Sequence, residues 1–337
     1  ADYHSIGNIE GPSPFSRTGP SIWNVVKPDV VEIGGDLSRS RDANPLTIGK
    51  RKETSLELPR RTDGGIPVDI SEVGTSFSAP VVAHLAAILQ TLLPDESSLL
   101  YRGLIAQSAQ WPQWRLSPDE YFNNFSHFGF GLPNLERATR NSENRITFYS
   151  RGRKAIRSKE IHFFEIPIPE EIRSIGSEYD ILIEVTLSYC AKPRRTRRNA
   201  RKYLSTWVEW VSSKLDESME TFVNRESIVE EKTEVRRAEE IPWMLRERDD
   251  WGQVGGIKRN IGTLQKDWAT VKSHQLEESF SIAVRGRQGW DTTDTYPAYY
   301  SLIVSMEATN AEIQLYNRIR TEVEVRSQIE IPIRVLQ

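Results

Sequence analysis

The chain has 337 residues, 38% hydrophobic and 27% charged, with a formal net charge of −3. It is long enough for two domains with their own cores, and its charge balance supplies no global attraction to nucleic acid or an anionic membrane. The single cysteine, Cys190, excludes an internal disulfide framework and points to a reducing compartment, so a cytoplasmic location is expected.

In chain order, Ser5-Ile6-Gly7-Asn8 reads as a strand running into a turn. Phe15-Ser16-Arg17-Thr18-Gly19-Pro20 and Lys27-Pro28-Asp29-Val30-Val31-Glu32-Ile33-Gly34-Gly35 follow as a loop and a second extended run. Residues 36–72 form a polar excursion rich in Arg, Pro, Asp and Gly, long for a structureless connection. A substrate-side loop and an inert surface insertion both fit it.

Gly74-Thr75-Ser76-Phe77-Ser78-Ala79-Pro80 then leads into the apolar run Val81–Leu89, which predicts a serine at the mouth of a buried helix. A hydroxyl there faces unpaired N–H groups and the positive end of the helix dipole. Gly74 admits a close backbone approach, and Pro80 is expected in the first turn, where no donor is lost. A plain N-cap before a core helix is the simpler alternative. The apolar stretch Ala79–Leu93, interrupted by His84 and Gln90, is too short to span a bilayer. No signal peptide pattern opens the chain, and the natural N-terminus is expected upstream of Ala1. Tyr101–Ala109 predicts a second helix, and Phe128-Gly129-Phe130-Gly131-Leu132-Pro133-Asn134 a glycine turn.

These stretches, in this order, resemble the subtilisin-like serine peptidases. Gly74–Pro80 is similar to the family's G-T-S-x-[SA]-x-P nucleophile motif, with Ser76 at the nucleophile position and Gly74 and Thr75 as its motif support. The Phe15 and Lys27 stretches resemble F-S-x-x-G-P and K-P-D-V-x-A-P-G, departing at Glu32-Ile33-Gly34-Gly35. Phe128–Asn134 is similar to the closing G-x-G-x-[IVL]-[ND] turn. The resemblance covers roughly residues 1–140 and implies the C-terminal half of an α/β parallel-sheet catalytic domain. It also implies that Ser76 attacks a peptide carbonyl while its own backbone N–H donates to the oxyanion.

A Ser-His-Asp site needs a base and a carboxylate to orient it. The D-[ST]-G and H-G-T motifs that supply them in this family do not occur before Ser76. His84, eight residues along the helix from Ser76, points away from the hydroxyl's end. His4, His127, His162 and His274 lack a recognisable orienting carboxylate and read as structural or surface residues. Asn8 offers a superficial match to the family's oxyanion asparagine but lies too close to Phe15, and it reads as a turn residue. The expectation is that histidine, aspartate and oxyanion asparagine lie upstream of Ala1 and that this fragment alone is inactive.

Beyond residue 140 the pattern turns to β alternation. Strands are predicted over Ile161–Ile168, Tyr179–Leu187, Tyr203–Val211, Phe280–Arg285, Tyr300–Met306 and Ile329–Ile333, with a short helix over about Asp216–Val223. An antiparallel sandwich or jelly-roll-like domain over residues 141–337 is expected, behind the α/β unit of residues 1–140. Residues 192–202 carry seven basic side chains in eleven, read as a solvated hairpin. A contact with nucleic acid or an acidic partner is the sharper alternative, and pairing with the acidic run Glu226–Glu240 would account for both segments. Trp243, Trp251, Trp268 and Trp290 are expected to cap the sandwich ends. Trp290-Asp291-Thr292-Thr293-Asp294 lacks the spacing of a calcium loop.

No cofactor or metal is expected. Expected partners are a peptide or protein substrate, an ATPase of the AAA class by resemblance, and a second copy through an exposed sheet edge, with neither membrane nor nucleic acid. The alternative function is a non-catalytic protein-interaction module.

Overall fold

The structure, a computed structural model, describes residues 3–8, 11–40, 48–51, 54–61, 67–111, 121–168, 179–195, 202–227, 241–245, 254, 256–309 and 331–334. Antiparallel sheets and helices are mixed throughout. Strands β1 (Tyr3–Ser5), β2 (Ser38–Ser40) and β3 (Ile48–Gly49) form a small sheet, and β4 (Leu56–Arg61) pairs with β5 (Pro67–Glu72). The polar excursion thus contains paired strands where the sequence suggested only a loop.

Every strand pairing among the described residues is antiparallel, so the parallel sheet expected for the N-terminal unit is not found there. The run Lys27–Gly35 is extended but joins no ladder. Pro28 has no donor to give, and single bonds pin the run instead: Val31 N–H to the Gly131 carbonyl, Phe130 N–H to the Asp29 carbonyl, and Gly74 N–H to the Gly34 carbonyl.

Four helices follow: α1 (Thr75–Leu92), α2 (Ser98–Ser108), α3 (Tyr121–Phe128) and α4 (Leu135–Thr139). Helix α1 was expected to be buried. It buries only Leu85 and Leu89, because the cluster it joins, with Leu100, Tyr101, Leu104 and Ile105 of α2 and Ala138 of α4, lies on one side of it. Its length and a mean hydropathy of 1.3 would suffice to cross a membrane, a possibility that the interrupted run Ala79–Leu93 did not suggest. Helix α2 is the opposite case, buried from Gly103 to Ser108.

The strands from Arg145 onward form two antiparallel sheets. One has the order β10 (Thr206–Ser212), β12 (Ser279–Gln288), β8 (Glu160–Pro167), β14 (Ile331–Arg334). The other runs β11 (Leu264–Lys272), β9 (Asp180–Cys190), β13 (Ala298–Ala308), β6 (Arg145–Tyr149), with β7 (Lys154–Ile156) also on β13. Alternation on β9 sends Ile181, Ile183, Val185 and Leu187 into one core with Val208 and Trp210 of β10 and Phe280, Ile282 and Val284 of β12. Helix α5 (Met219–Ser227) covers the far side of the first sheet, setting Phe222 edge-on to Phe163.

The other face of β9 and β13 is not solvent-facing. Helix α2 lies on it, and Gly103 permits the approach: a Cβ there would sit 2.2 Å from Cδ1 of Ile303. Beneath the helix is a buried charged network. Glu184 pairs with Lys266 at 3.0 Å and with Arg137 at 2.9 Å, and Arg137 reaches Glu307 at 2.6 Å. The Lys266 ammonium also donates to the carbonyls of Ala106, Gln107 and Ala109, closing the C-terminal end of α2. Burial alone would raise Glu184, but Lys266, Arg137 and Arg145 outweigh it and hold its carboxyl below the usual range. Burial pushes the Lys266 ammonium down against the opposing pull of Glu184.

Several expectations meet this framework. Cys190 is an exposed thiol at the end of β9. Trp268 is not an end cap but sits within β11, its ring 5.1 Å from Trp111 and 5.6 Å from Phe125. Trp243 packs edge-on against Trp210 in the main core at 5.0 Å. Trp251, the stretch 228–240 and residues 196–201 lie outside the described residues. Glu226 pairs with Arg285 and Arg225, so its partners come from β12 and α5 rather than from the Arg-rich stretch.

Candidate active site at the entrance of helix α1

Helix α1 begins at Thr75 because Gly74 turns the chain with φ 147°, a conformation in which a side chain is strained. Ser76 is the second residue of the helix and is exposed. Neither its hydroxyl nor the N–H groups of Thr75 and Ser76 has a partner among the described residues. They are the free donors every helix start presents, and here the residue that carries one of them also carries an exposed hydroxyl.

Pro80 corrects the sequence reading. It lies inside the helix, past the first turn, so the hydrogen bond its nitrogen cannot make is the one to the carbonyl of Ser76. That carbonyl is released from the helical ladder at the residue that carries the hydroxyl. Gly34 is a further participant the motif did not single out. A Cβ on it would fall 2.6 Å from Oγ of Ser78 and 2.9 Å from the Gly74 carbonyl, so only glycine lets residues 33–35 lie against the helix start. Its retention inside the departing Glu32-Ile33-Gly34-Gly35 stretch was the available signal.

The closing turn acts at a distance from Ser76. Gly129 and Gly131 adopt φ 57° and 107°, and a Cβ on them would lie 1.9 Å from the Pro28 carbonyl and 2.2 Å from that of Gln110. The turn is thus pressed between the Lys27–Gly35 run and the end of α2. Asn134, its last residue, caps α4 by accepting from Arg137 N–H at 2.9 Å.

No histidine meets Ser76. His84 stands eight residues along α1, about 12 Å by helical rise, and is exposed. His4 accepts from Arg39 at 3.0 Å, His127 bonds the Asn123 carbonyl at 2.8 Å, and His162 bonds the Tyr300 hydroxyl at 2.8 Å. His274 is exposed in a turn after β11. Asn8 is exposed, and its carbonyl accepts from Gly11 N–H, the geometry of a turn. The arrangement can stabilise negative charge beside Ser76 but has no group among the described residues to take its proton.

Neither does a metal site emerge: no group of His, Cys, Asp and Glu among the described residues could hold an ion. The Asp291 carboxylate closes its own loop, accepting from Thr293 and from Tyr296 N–H at 2.8 Å, and those bonds hold its carboxyl below the ordinary range.

The chain is 29% identical over 326 residues to an uncharacterized protein, y4bN, of Sinorhizobium fredii (strain NBRC 101917 / NGR234), an alignment covering 94% of this chain and 72% of that protein. Residues 5–143 match the sequence model of the subtilase family, an interval that contains the Phe15, Lys27, Gly74 and Phe128 stretches.

Proposed function

Starting from a chain whose residues 5–143 are subtilase-like, we propose that it is the nucleophile-bearing part of a serine endopeptidase, followed by a β-sandwich. Ser76 is the nucleophile, the N–H groups at the start of α1 stabilise the oxyanion, and Gly74 and Thr75 shape the approach. The histidine base, its carboxylate and the oxyanion asparagine are contributed by polypeptide outside these 337 residues. The exposed hydroxyl of Ser76 beside unpaired helix-start donors carries this reading.

Casein turnover by this chain, by a longer chain containing D-[ST]-G and H-G-T motifs, and by the Ser76→Ala form of each tests it. Turnover is expected from the longer chain alone, and Ser76→Ala should remove it. Robust Ser76-dependent turnover by the 337 residues would overturn the proposed division of the site.

The distinct partners of His4, His127 and His162 favour one second reading, a non-catalytic protein-interaction module. Under it the natural upstream sequence lacks both motifs, and no longer form of this chain turns casein over. The lone exposed thiol of Cys190 supports a reducing, cytoplasmic setting under either reading.

A further inference from the structure

One end of the β unit gathers cations from two separate loops. Ala155 of β7, Tyr299 of β13 and Cys190 of β9 stand opposite one another across three adjacent strands, a row about 10 Å wide. The β6–β8 connection therefore emerges beside the β9–β10 hairpin. The first carries five basic residues between 151 and 159; among the described residues the second carries Lys192, Arg194, Arg195 and Lys202. The hairpin's base is set by pairing of Pro193 with Leu204 and by the Arg194 N–H bond to the Tyr203 carbonyl.

Arg153, Lys159, Lys192, Arg194, Arg195 and Lys202 form no ion pair among the described residues. Nearby carboxylates serve the backbone: Asp294 accepts from Ser158 N–H and Asp291 from Tyr296 N–H. Two cations are held in position by rings, with the Arg153 guanidinium 4.0 Å over Tyr299 and the Lys192 ammonium 3.5 Å over Tyr296.

The same contacts select the ligand's chemistry. Binding of single-stranded nucleic acid uses open aromatic faces on which bases stack. At Tyr299 and Tyr296 a face is already taken by a cation. What the surface offers is a field of guanidinium and ammonium donors, and guanidinium forks match carboxylates in bidentate fashion. We propose that this end of the β unit binds an Asp/Glu-rich polypeptide segment. The proposal stands on this surface alone and does not depend on the peptidase reading.

The whole chain is titrated against a fluorescein-labelled Glu-rich peptide and an oligo-dT of similar length, by anisotropy, at low salt and at about 1 M salt. The peptide should bind more tightly than oligo-dT and be released by salt. Arg153→Glu with Arg157→Glu, and separately Arg194→Glu with Arg195→Glu, should each weaken it by about tenfold or more. A control pair, Arg140→Glu with Lys214→Glu, lies at the opposite ends of the strands and should leave binding unchanged. If a charge-reversed pair fails to fold, Arg153→Gln with Arg195→Gln replaces it, again with weaker binding expected. Tighter binding of oligo-dT, absence of peptide binding, dependence on one loop only, or an equal loss in the control pair would each overturn the proposal.

Discussion

At the scale of single residues, the glycines show how a motif becomes geometry. Gly131 combines φ 107° with a backbone carbonyl where its Cβ would be, so Gly131→Ala must move the chain as well as strain it. A loss of about 2 kcal/mol or more is expected, read as a lower urea midpoint. Ser76→Ala, at an exposed and unpartnered hydroxyl, should leave that midpoint within about 0.5 kcal/mol. The serine at the start of α1 and these glycines were legible in the sequence because their spacing is local. The placement of Pro80 against the Ser76 carbonyl was not, because it depends on where the helix starts.

Elements tell a different story about legibility. Strands β8, β9, β12 and β13 follow from alternating apolar residues, and β10 from its aromatic and valine run. Strand β11 was not predicted because Gln265, Lys266 and Asp267 interrupt the apolar alternation, whereas all three are buried with partners. Lys266 has two tasks there, pairing with Glu184 and capping α2. Lys266→Met removes one of the cations paired with Glu184 and leaves three helix carbonyls without that donor, and about 3–5 kcal/mol of stability should be lost.

The acid response of the network has a defined sign. Because the Glu184 carboxyl is held below its ordinary range, its contribution is present above the unfolded-state pKa, about 4.3. It is lost as pH falls through the lower folded-state value. Stability measured by denaturant titration should therefore decline on acidification below about pH 5, and Glu184→Gln should flatten that slope. An unchanged slope in Glu184→Gln would remove Glu184 from the account.

For the whole molecule, the decisive fact is that α2 serves two cores. Its Leu100, Tyr101 and Leu104 pack with α1, while Gln107 donates to Ser305 and to the Glu184 carbonyl of the second unit. Opening the joint would strip partners from buried charges on both sides, which is costly. The two units should accordingly unfold in one transition, with far-ultraviolet circular dichroism and tryptophan fluorescence giving coincident curves. Separate transitions would show that the joint is weaker than its contacts indicate. Composition along the chain revealed two regions of different pattern; it could not reveal the joint, because the pairing residues lie far apart in sequence.

Lys266 also bears on how such a chain can be recombined. The carbonyl end of α2 is completed by an ammonium that belongs to another part of the polypeptide, more than 150 residues away. A graft that exchanged the β unit for an unrelated one would sever α2 from its cap unless the newcomer brought a cation to the same place. Chimeras joined near residue 140 should need a compensating lysine or arginine at the end of α2 before they fold.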